Sequence, residues 1–257
     1  MIDRYLVIEP LGSGGMGVVY AAYDPVLNRK VALKLLHARS NDEQAKSEGR
    51  TRLVREAQAI ARLNHPNVVS VFDVGTIDDR VYMATEFLDG LSLKHWLRER
   101  DRSIDEILGV FVQAGRGLAA AHAAGLVHRD FKPANVLVPT DGRVRVLDFG
   151  LARASGIDPE TADALDTGAP TSLSATDTGL LTTPLTLSGA IVGTPAYMAP
   201  EQHLKTETDA RTDQFSFCVS LWEALYGKRP FRASEYDDLR KQVVAGKIDE
   251  PEGESRV

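Results

Sequence analysis

The stretch "HRDFKPANVL", residues 128–137, decides how this chain is read. Its first eight positions hold a His, an Arg, an Asp, a Lys and an Asn, with a Pro after the Lys. Side chains this polar usually belong to an exposed loop. Here an Ala-rich apolar segment (Leu118–Val127) precedes them and a strand-like apolar segment (Val136–Val138) follows. Asp130 is a plausible acceptor for a hydroxyl proton. Lys132 can neutralise charge on a transferring group, and Asn135 offers a neutral oxygen to a divalent cation. His128 has two readings, a general base or a packed structural histidine, and the apolar run before it favours the second.

Working outward, "LDFG" (147–150) follows the strand-like "VRVL" and supplies a second carboxylate, Asp148, beside a glycine hinge. Mg²⁺ prefers oxygen ligands, keeps several waters and shares its shell with substrate phosphates, so one Asp and one Asn from adjacent turns suit it. Further upstream, "GSGGMG" matches G-x-G-x-x-G at Gly12, Gly14 and Gly17. A dinucleotide-binding fold would place a helix directly after it. The β-branched and aromatic "VVYAAYD" follows instead, which excludes that fold and puts the glycines in a strand-turn-strand hairpin. Such a turn lets backbone N–H groups close over phosphates, though an ordinary flexible hairpin reads the same way. Lys34 in "VALK" lies among apolar neighbours, and an unpaired buried ammonium is costly. Glu56 is the only acid between Thr51 and Leu63, so a Lys34–Glu56 pair is expected; a snorkelling lysine on an edge strand is the other reading. Together these residues offer what phosphoryl transfer needs most, positioning and charge neutralisation.

The rest of the chain frames this set. Of its 257 residues 43% are hydrophobic, enough for one large domain or two lobes. The net charge of −6 and pI near 5.6 give no basic excess for nucleic acid or anionic lipid. No apolar run approaches the ~20 residues of a membrane helix. The N-terminus lacks the form of a signal peptide. The single Cys218 excludes an internal disulfide and fits a reducing, cytoplasmic setting.

Five strand-like runs and one helix (51–63) occupy the first third, with residues 39–50 read as loop. After Asp89-Gly90 the pattern turns helical: 92–100, 104–122, 213–226 and 234–245. The helix containing "FSFCVSLWEALY" is apolar nearly all round, which predicts a buried central helix. The fold class is therefore α+β and bilobal, with a β-rich small lobe over 1–87, a boundary near residues 87–91 and a helical lobe over 91–257. Twelve of the 36 residues from Ser155 to Ala190 are Ser or Thr, and no Lys or Arg occurs from Ala154 to Leu204. That composition predicts a mobile loop.

The ordered motifs "GSGGMGVV", "VALK", "REAQAIARLNHPNVV", "HRDFKPANVL", "LDFG", "GTPAYMAPEQ" and "TDQFSFCVSLWEAL" resemble the eukaryotic-like (Hanks-type) protein serine/threonine kinases, most closely the bacterial ones. The resemblance runs from Tyr5 to about Ile248. It implies ATP and Mg²⁺ as cofactors, with Mn²⁺ as an alternative metal, and protein Ser/Thr hydroxyls as acceptors in bacterial signalling.

Residue by residue, the resemblance implies that Gly12 to Val19 cover the ATP phosphates, with Leu11, Gly12, Ser13, Gly14, Gly15, Gly17 and Val19 among the ATP-binding residues. Val19 and Ala32 sandwich adenine with Leu137. Lys34 contacts the phosphates and pairs with Glu56. Thr85 is a small gatekeeper, and Glu86 to Leu88 bond adenine from a hinge over 86–90. Asp130 is the catalytic base, and Lys132 steadies the transferring group and points to Ser/Thr specificity. Asn135 and Asp148 hold the metal. Ile60, Val68, His128 and Phe149 stack as a packing spine, and Asp213 anchors the catalytic turn. Arg129 and Arg153 form a basic pocket for a phosphorylated loop, with Thr186 and Ser188 as the expected phosphosites and Thr182 and Thr183 next. Thr194 bonds the catalytic Asp and Lys. Small-lobe homodimers are common in the family.

Three departures stand out. Phe131 replaces the usual Leu. The activation segment, 148–201, is long. The chain stops at Val257, where the family continues with helices that include an Arg partner for Glu201. The reading therefore expects a shortened helical lobe, and its alternative is an ATP-binding scaffold without turnover.

Overall fold

The apolar run "VALKLL" forms the central strand of the N-terminal part. A computed structural model describes residues 1–14, 17–36, 43–78, 80–149 and 194–249. Strands β1 (Leu6–Gly14), β2 (Gly17–Asp24), β3 (Arg29–Leu36), β4 (Val71–Ile77) and β5 (Arg80–Glu86) form one antiparallel sheet in the order β1-β2-β3-β5-β4. Successive residues of a strand point to opposite faces. Val31, Leu33 and Leu35 therefore join Tyr5, Ala22, Tyr82 and Ala84 in one apolar cluster. Leu36 joins Val81, Met83, Leu53, Ala57 and Ile60 in another. Lys34 shares the face of Leu36. Directly paired residues share a face too, and the register pairs Val19 with Lys34, Lys34 with Met83, and Ala32 with Thr85. One face of the sheet thus carries Val19, Ala32, Lys34, Met83 and Thr85.

Helix α1 (Glu43–Ala61) covers that second face with Leu53, Ala57 and Ile60. It begins eight residues earlier than the expected start at Thr51, so the stretch read as loop is helical from Glu43. The reason is physical. Residues 43–50 include strong helix formers (Glu43, Gln44, Ala45, Lys46, Glu48, Arg50) beside Ser47 and Gly49 but carry no apolar stripe, so hydrophobic periodicity gives no signal there.

Beyond residue 89 a small sheet of β6 (Gly90–Ser92), β7 (Val136–Pro139) and β8 (Arg145–Val146) meets the helices. Ser92 caps α2 (Leu93–Glu99). A capping box starts α3 (Ile104–Ala123), where Glu106 N donates to Ser103 Oγ and Ser103 N to Glu106 Oε2. Helices α4 (Pro200–His203), α5 (Ala210–Tyr226) and α6 (Tyr236–Ala245) complete the described α-helices, with short 3-10 turns at Pro133–Asn135 and Thr194–Tyr197.

The main core crosses between the two parts, since Leu36, Leu53 and Met83 cluster with Phe111, Phe131, Val146 and Phe149. Asn67 reinforces the junction. Its Nδ2 donates to Val144 O (2.9 Å) and Gln113 Oε1 (3.2 Å), and its carbonyl accepts from Val146 N (2.9 Å). A Cβ on Gly117 of α3 would lie 2.4 Å from that carbonyl oxygen, so only glycine permits the approach.

Helix α5 departs from its expected burial. Its buried residues are Thr212, Asp213, Ser216, Val219, Ser220 and Ala224, while Phe215, Phe217, Leu221, Trp222 and Leu225 are half-buried and Cys218 is exposed. Small hydroxyl side chains allow close packing and satisfy themselves locally. Ser216 Oγ donates to Thr212 O and Tyr197 O, and Ser220 Oγ to Ser216 O.

Candidate active site

The turn after α3 is fixed from beneath by one buried carboxylate. Asp213 of α5 has no exposed surface. Its Oδ2 accepts from His128 N and its Oδ1 from Arg129 N, both at 2.7 Å. His122 Nε2 lies 2.7 Å from the same Oδ2. This grip holds Arg129 at φ 64°, a left-handed conformation that costs a non-glycine residue about 1 kcal/mol or more. Gln202 Nε2 of α4 also donates to Arg129 O (2.8 Å), and Arg129 Nε donates to Thr208 Oγ1 (3.1 Å).

His128 is fully buried against Phe131 and Phe149. Its Nδ1 accepts from Asp130 N (3.2 Å), so its Nε2 carries the proton and donates to Leu147 O (2.7 Å). Both ring nitrogens are thus spent on the backbone, and His128 is a packed histidine rather than a base.

Asp130, Lys132 and Asn135 are all buried. The backbone oxygen and Oδ2 of Asp130 are both acceptors, so the amide nitrogen of Asn135 must face them; it donates at 2.8 and 3.0 Å. Lys132 Nζ stands 3.4 Å from the same Oδ2. Asp130 Oδ1 is buried and accepts no hydrogen bond among the described residues. Asn135 Oδ1 is left as a neutral acceptor oxygen. Leu147 N donates to Asn135 O (2.9 Å), which ties this turn to the strand leading into Asp148.

Asp148, at φ 60°, forms an ion pair with Lys34 across the cleft at 2.8 Å. Burial alone would push its carboxyl up; the Lys34 ammonium outweighs that and holds it below the usual carboxylate range. The ion pair of Lys34 is therefore with Asp148 and not with Glu56, contrary to the expectation from sequence. The turn after β8 carries Asp148 up to the face on which Lys34 lies, while Glu56 sits half-buried on α1.

The glycine hairpin closes with Gly14 opposite Gly17. Gly17 has φ 147°, and a Cβ there would lie 1.7 Å from Leu35 O. A Cβ on Gly12 would meet nothing within 4 Å, so its surroundings are open. Leu11, Val19, Ala32, Leu88 and Leu137 are half-buried apolar residues, Ser13 is exposed, and Thr85 is buried with its hydroxyl 3.4 Å from Ala32 O. Gly15, Arg153, Thr182, Thr183, Thr186, Ser188 and the side chain of Thr194 lie outside the described residues.

The family model described as "Protein kinase domain" matches residues 5–253. The chain belongs to the protein kinase domain family. This kinase domain is 36% identical over 231 residues to the serine/threonine-protein kinase pkn2 of Myxococcus xanthus, covering 89% of this chain and 25% of that protein. It is 38% identical over 256 residues to PksC of Streptomyces coelicolor (94% of this chain, 41% of that one). To PknL of Mycobacterium bovis it is 38% identical over 231 residues (89% and 51%). It thus spans between a quarter and about half of the length of these relatives. Among the described residues no helix of the kinase domain is long and apolar enough to cross a membrane.

Several contacts in the kinase domain have no counterpart in the sequence reading. His122 beside Asp213 spans 91 residues, and Arg145 beside Glu86 spans 59. Glu201, expected to need an Arg, accepts from Thr212 Oγ1 (2.5 Å). A hydroxyl on the first turn of the next helix is the available signal for that contact.

Proposed function

We propose that this domain transfers the terminal phosphoryl group of ATP to serine or threonine hydroxyls of proteins. One observation carries the reading: Asp130 is pinned through Oδ2 by Asn135 and Lys132, while its buried Oδ1 has no partner among the described residues. A carboxylate oxygen held ready in this way matches a general base that accepts a hydroxyl proton.

The residues present fit ATP and a divalent ion. Asn135 Oδ1 and the Asp148 carboxylate offer oxygen ligands, and among the described residues no group of three His, Cys, Asp or Glu side chains forms an all-protein metal cage. Two ligands leaving the rest of the shell to water and phosphate is the usual Mg²⁺ arrangement. When bound, MgATP supplies the electrophilic phosphoryl group and part of the charge neutralisation. Lys34 and Lys132 offset phosphate charge from opposite sides of the cleft, the Gly12 hairpin leaves room for phosphates, and Asp130 Oδ1 orients the acceptor hydroxyl and takes its proton. Autophosphorylation at Thr186 or Ser188 belongs to the same proposal.

The test is incubation with labelled ATP and Mg²⁺ beside Asp130→Asn, followed by identification of the labelled residue. The expected result is phosphoserine or phosphothreonine, with the rate in the variant lower by about 10²–10⁴-fold. A folded wild type that binds ATP without transferring label would overturn turnover and favour the scaffold reading.

A further inference from the structure

We infer that the side chains of Glu86 and Arg145 form a positioning pair that sets the spacing of the nucleotide-base slot. The inference rests on the nucleotide-binding reading above and adds a role for two side chains. Glu86 ends β5, where the chain leaves the large sheet. Its Oε1 accepts from Arg145 Nε at 3.3 Å and from Ser70 N at 2.9 Å, and its own backbone N–H donates to Ser70 O at 2.9 Å. Arg145 starts β8, and its NH1 group donates to Arg143 O at 2.9 Å. The two side chains retain only 19% and 8% exposure.

A buried ion pair seldom stabilises a fold more than apolar packing would, because both charges lose their hydration. Its use here is geometric. Arg145 is the cross-strand partner of Leu137, and three residues later the same segment presents Asp148. Thr85, next to Glu86, is the cross-strand partner of Ala32. The pair therefore connects the strand end beside Thr85 and Ala32 to the hairpin that carries Leu137. These residues belong to opposite walls of the slot. The Asn67 contacts join the two parts at the α1–β4 side, whereas Glu86–Arg145 joins them beside the hinge. Main-chain pairing of β6 with β7 and the Thr140 N–H on Asp89 O already hold the far end of the hinge to the hairpin. The side-chain pair fixes the near end, at Glu86, and without it the slot widens on that side and a flat base loses contact there.

The test is a cycle of Glu86→Gln, Arg145→Met and the double variant, with Arg145→Lys as the conservative replacement. ATP affinity is measured by calorimetric titration well below each melting temperature, and KM and kcat are taken wherever label is transferred. Arg145→Met is expected to weaken ATP binding and raise KM about tenfold, the change that about 1.4 kcal/mol of binding makes, with kcat within about threefold. Arg145→Lys recovers most of the loss. The double variant is no worse than Arg145→Met, because both single changes break one interaction.

Glu86→Gln keeps the shape and the Ser70 contact, so it tests the positioning role even if Arg145→Met does not fold. Wild-type affinity in Glu86→Gln and Arg145→Met, with only their melting temperatures lowered, would overturn the positioning role and leave the kinase reading standing. Additive losses in the double variant, or no recovery with lysine, would also overturn it. A folded wild type that does not bind ATP would overturn both.

Discussion

Two aspartates of this chain are hidden from solvent almost equally, and they do opposite things. Asp24, at the end of β2, is 1% exposed, and Asp130 is 8% exposed. Asp24 Oδ1 accepts from Val26 N and Leu27 N, and its Oδ2 from the Arg4 guanidinium. Around it Arg4 also pairs with Asp73, and Asp73 accepts from Tyr5 OH. Each oxygen of Asp24 is used, and the result is a brace between the N-terminal segment and the sheet. Asp130 has one oxygen held and one without a partner among the described residues. Burial alone does not mark a working carboxylate. The marker is burial combined with an acceptor left open beside a fixed neighbour, since a buried acceptor without a partner costs about 1–3 kcal/mol and persists where something else requires it.

The comparison can be broken by changing what is satisfied. The largest stability loss is expected for Asp213→Ala, which strips partners from His128 N and Arg129 N at once and removes the support for a left-handed Arg129. A loss of about 2–5 kcal/mol in chemical denaturation checks it. Asp24→Asn should cost less, about 1–3 kcal/mol, because Arg4 is partly exposed and the amide oxygen in the place of Oδ1 still accepts from both Val26 N and Leu27 N. Phosphoryl transfer by the folded Asp24→Asn variant should stay at the wild-type rate.

The smallest expected effect is a pH dependence. Burial raises the Asp24 carboxyl, but the Leu27 N–H, Arg4 and the Val26 N–H together bring it below its ordinary value. A carboxyl whose folded pKa is depressed stabilises above its unfolded pKa of about 3.9 and loses that contribution as pH falls through the folded value. The stability gap between wild type and Asp24→Asn should thus be level above about pH 5 and shrink below about pH 4. A gap that widens on acidification would contradict this role for Asp24.

The two regions also differ in how far the sequence reveals them. The turn that carries Asp130 is legible because its polar residues are local: Asp130, Lys132 and Asn135 lie within six positions, and apolar runs on both sides mark the turn. The sheet is legible because its strands are short β-branched and aromatic runs bounded by turns, as in "VVYAAYD", the turn "PVLNRK" and "VALKLL". Asp24 and its brace are not, since Arg4, Asp24 and Asp73 stand far apart in the chain and look like ordinary surface charges. The Glu86–Arg145 and His122–Asp213 contacts are hidden for the same reason. Periodicity misplaces the start of helix α1 because a helix that extends past its packing surface carries no apolar period there. It misjudges helix α5 because hydrophobicity scales rank Ser216 and Ser220 as surface residues, while the helix buries them for their size. In this structure Lys34 pairs with Asp148 rather than Glu56: one sequence offers several acids, and only the turn before Asp148 decides which is near.

The central claim is that the open oxygen of Asp130 serves chemistry while the satisfied oxygens of Asp24 serve stability. The most direct test measures phosphoryl transfer and melting temperature side by side for wild type, Asp130→Asn and Asp24→Asn. The account predicts a crossed result. Asp130→Asn loses transfer by about 10²–10⁴-fold and keeps its melting temperature, whereas Asp24→Asn keeps transfer and melts lower. Equal loss of melting temperature in both variants, with transfer by Asp130→Asn falling only in proportion to its folded fraction, would contradict it.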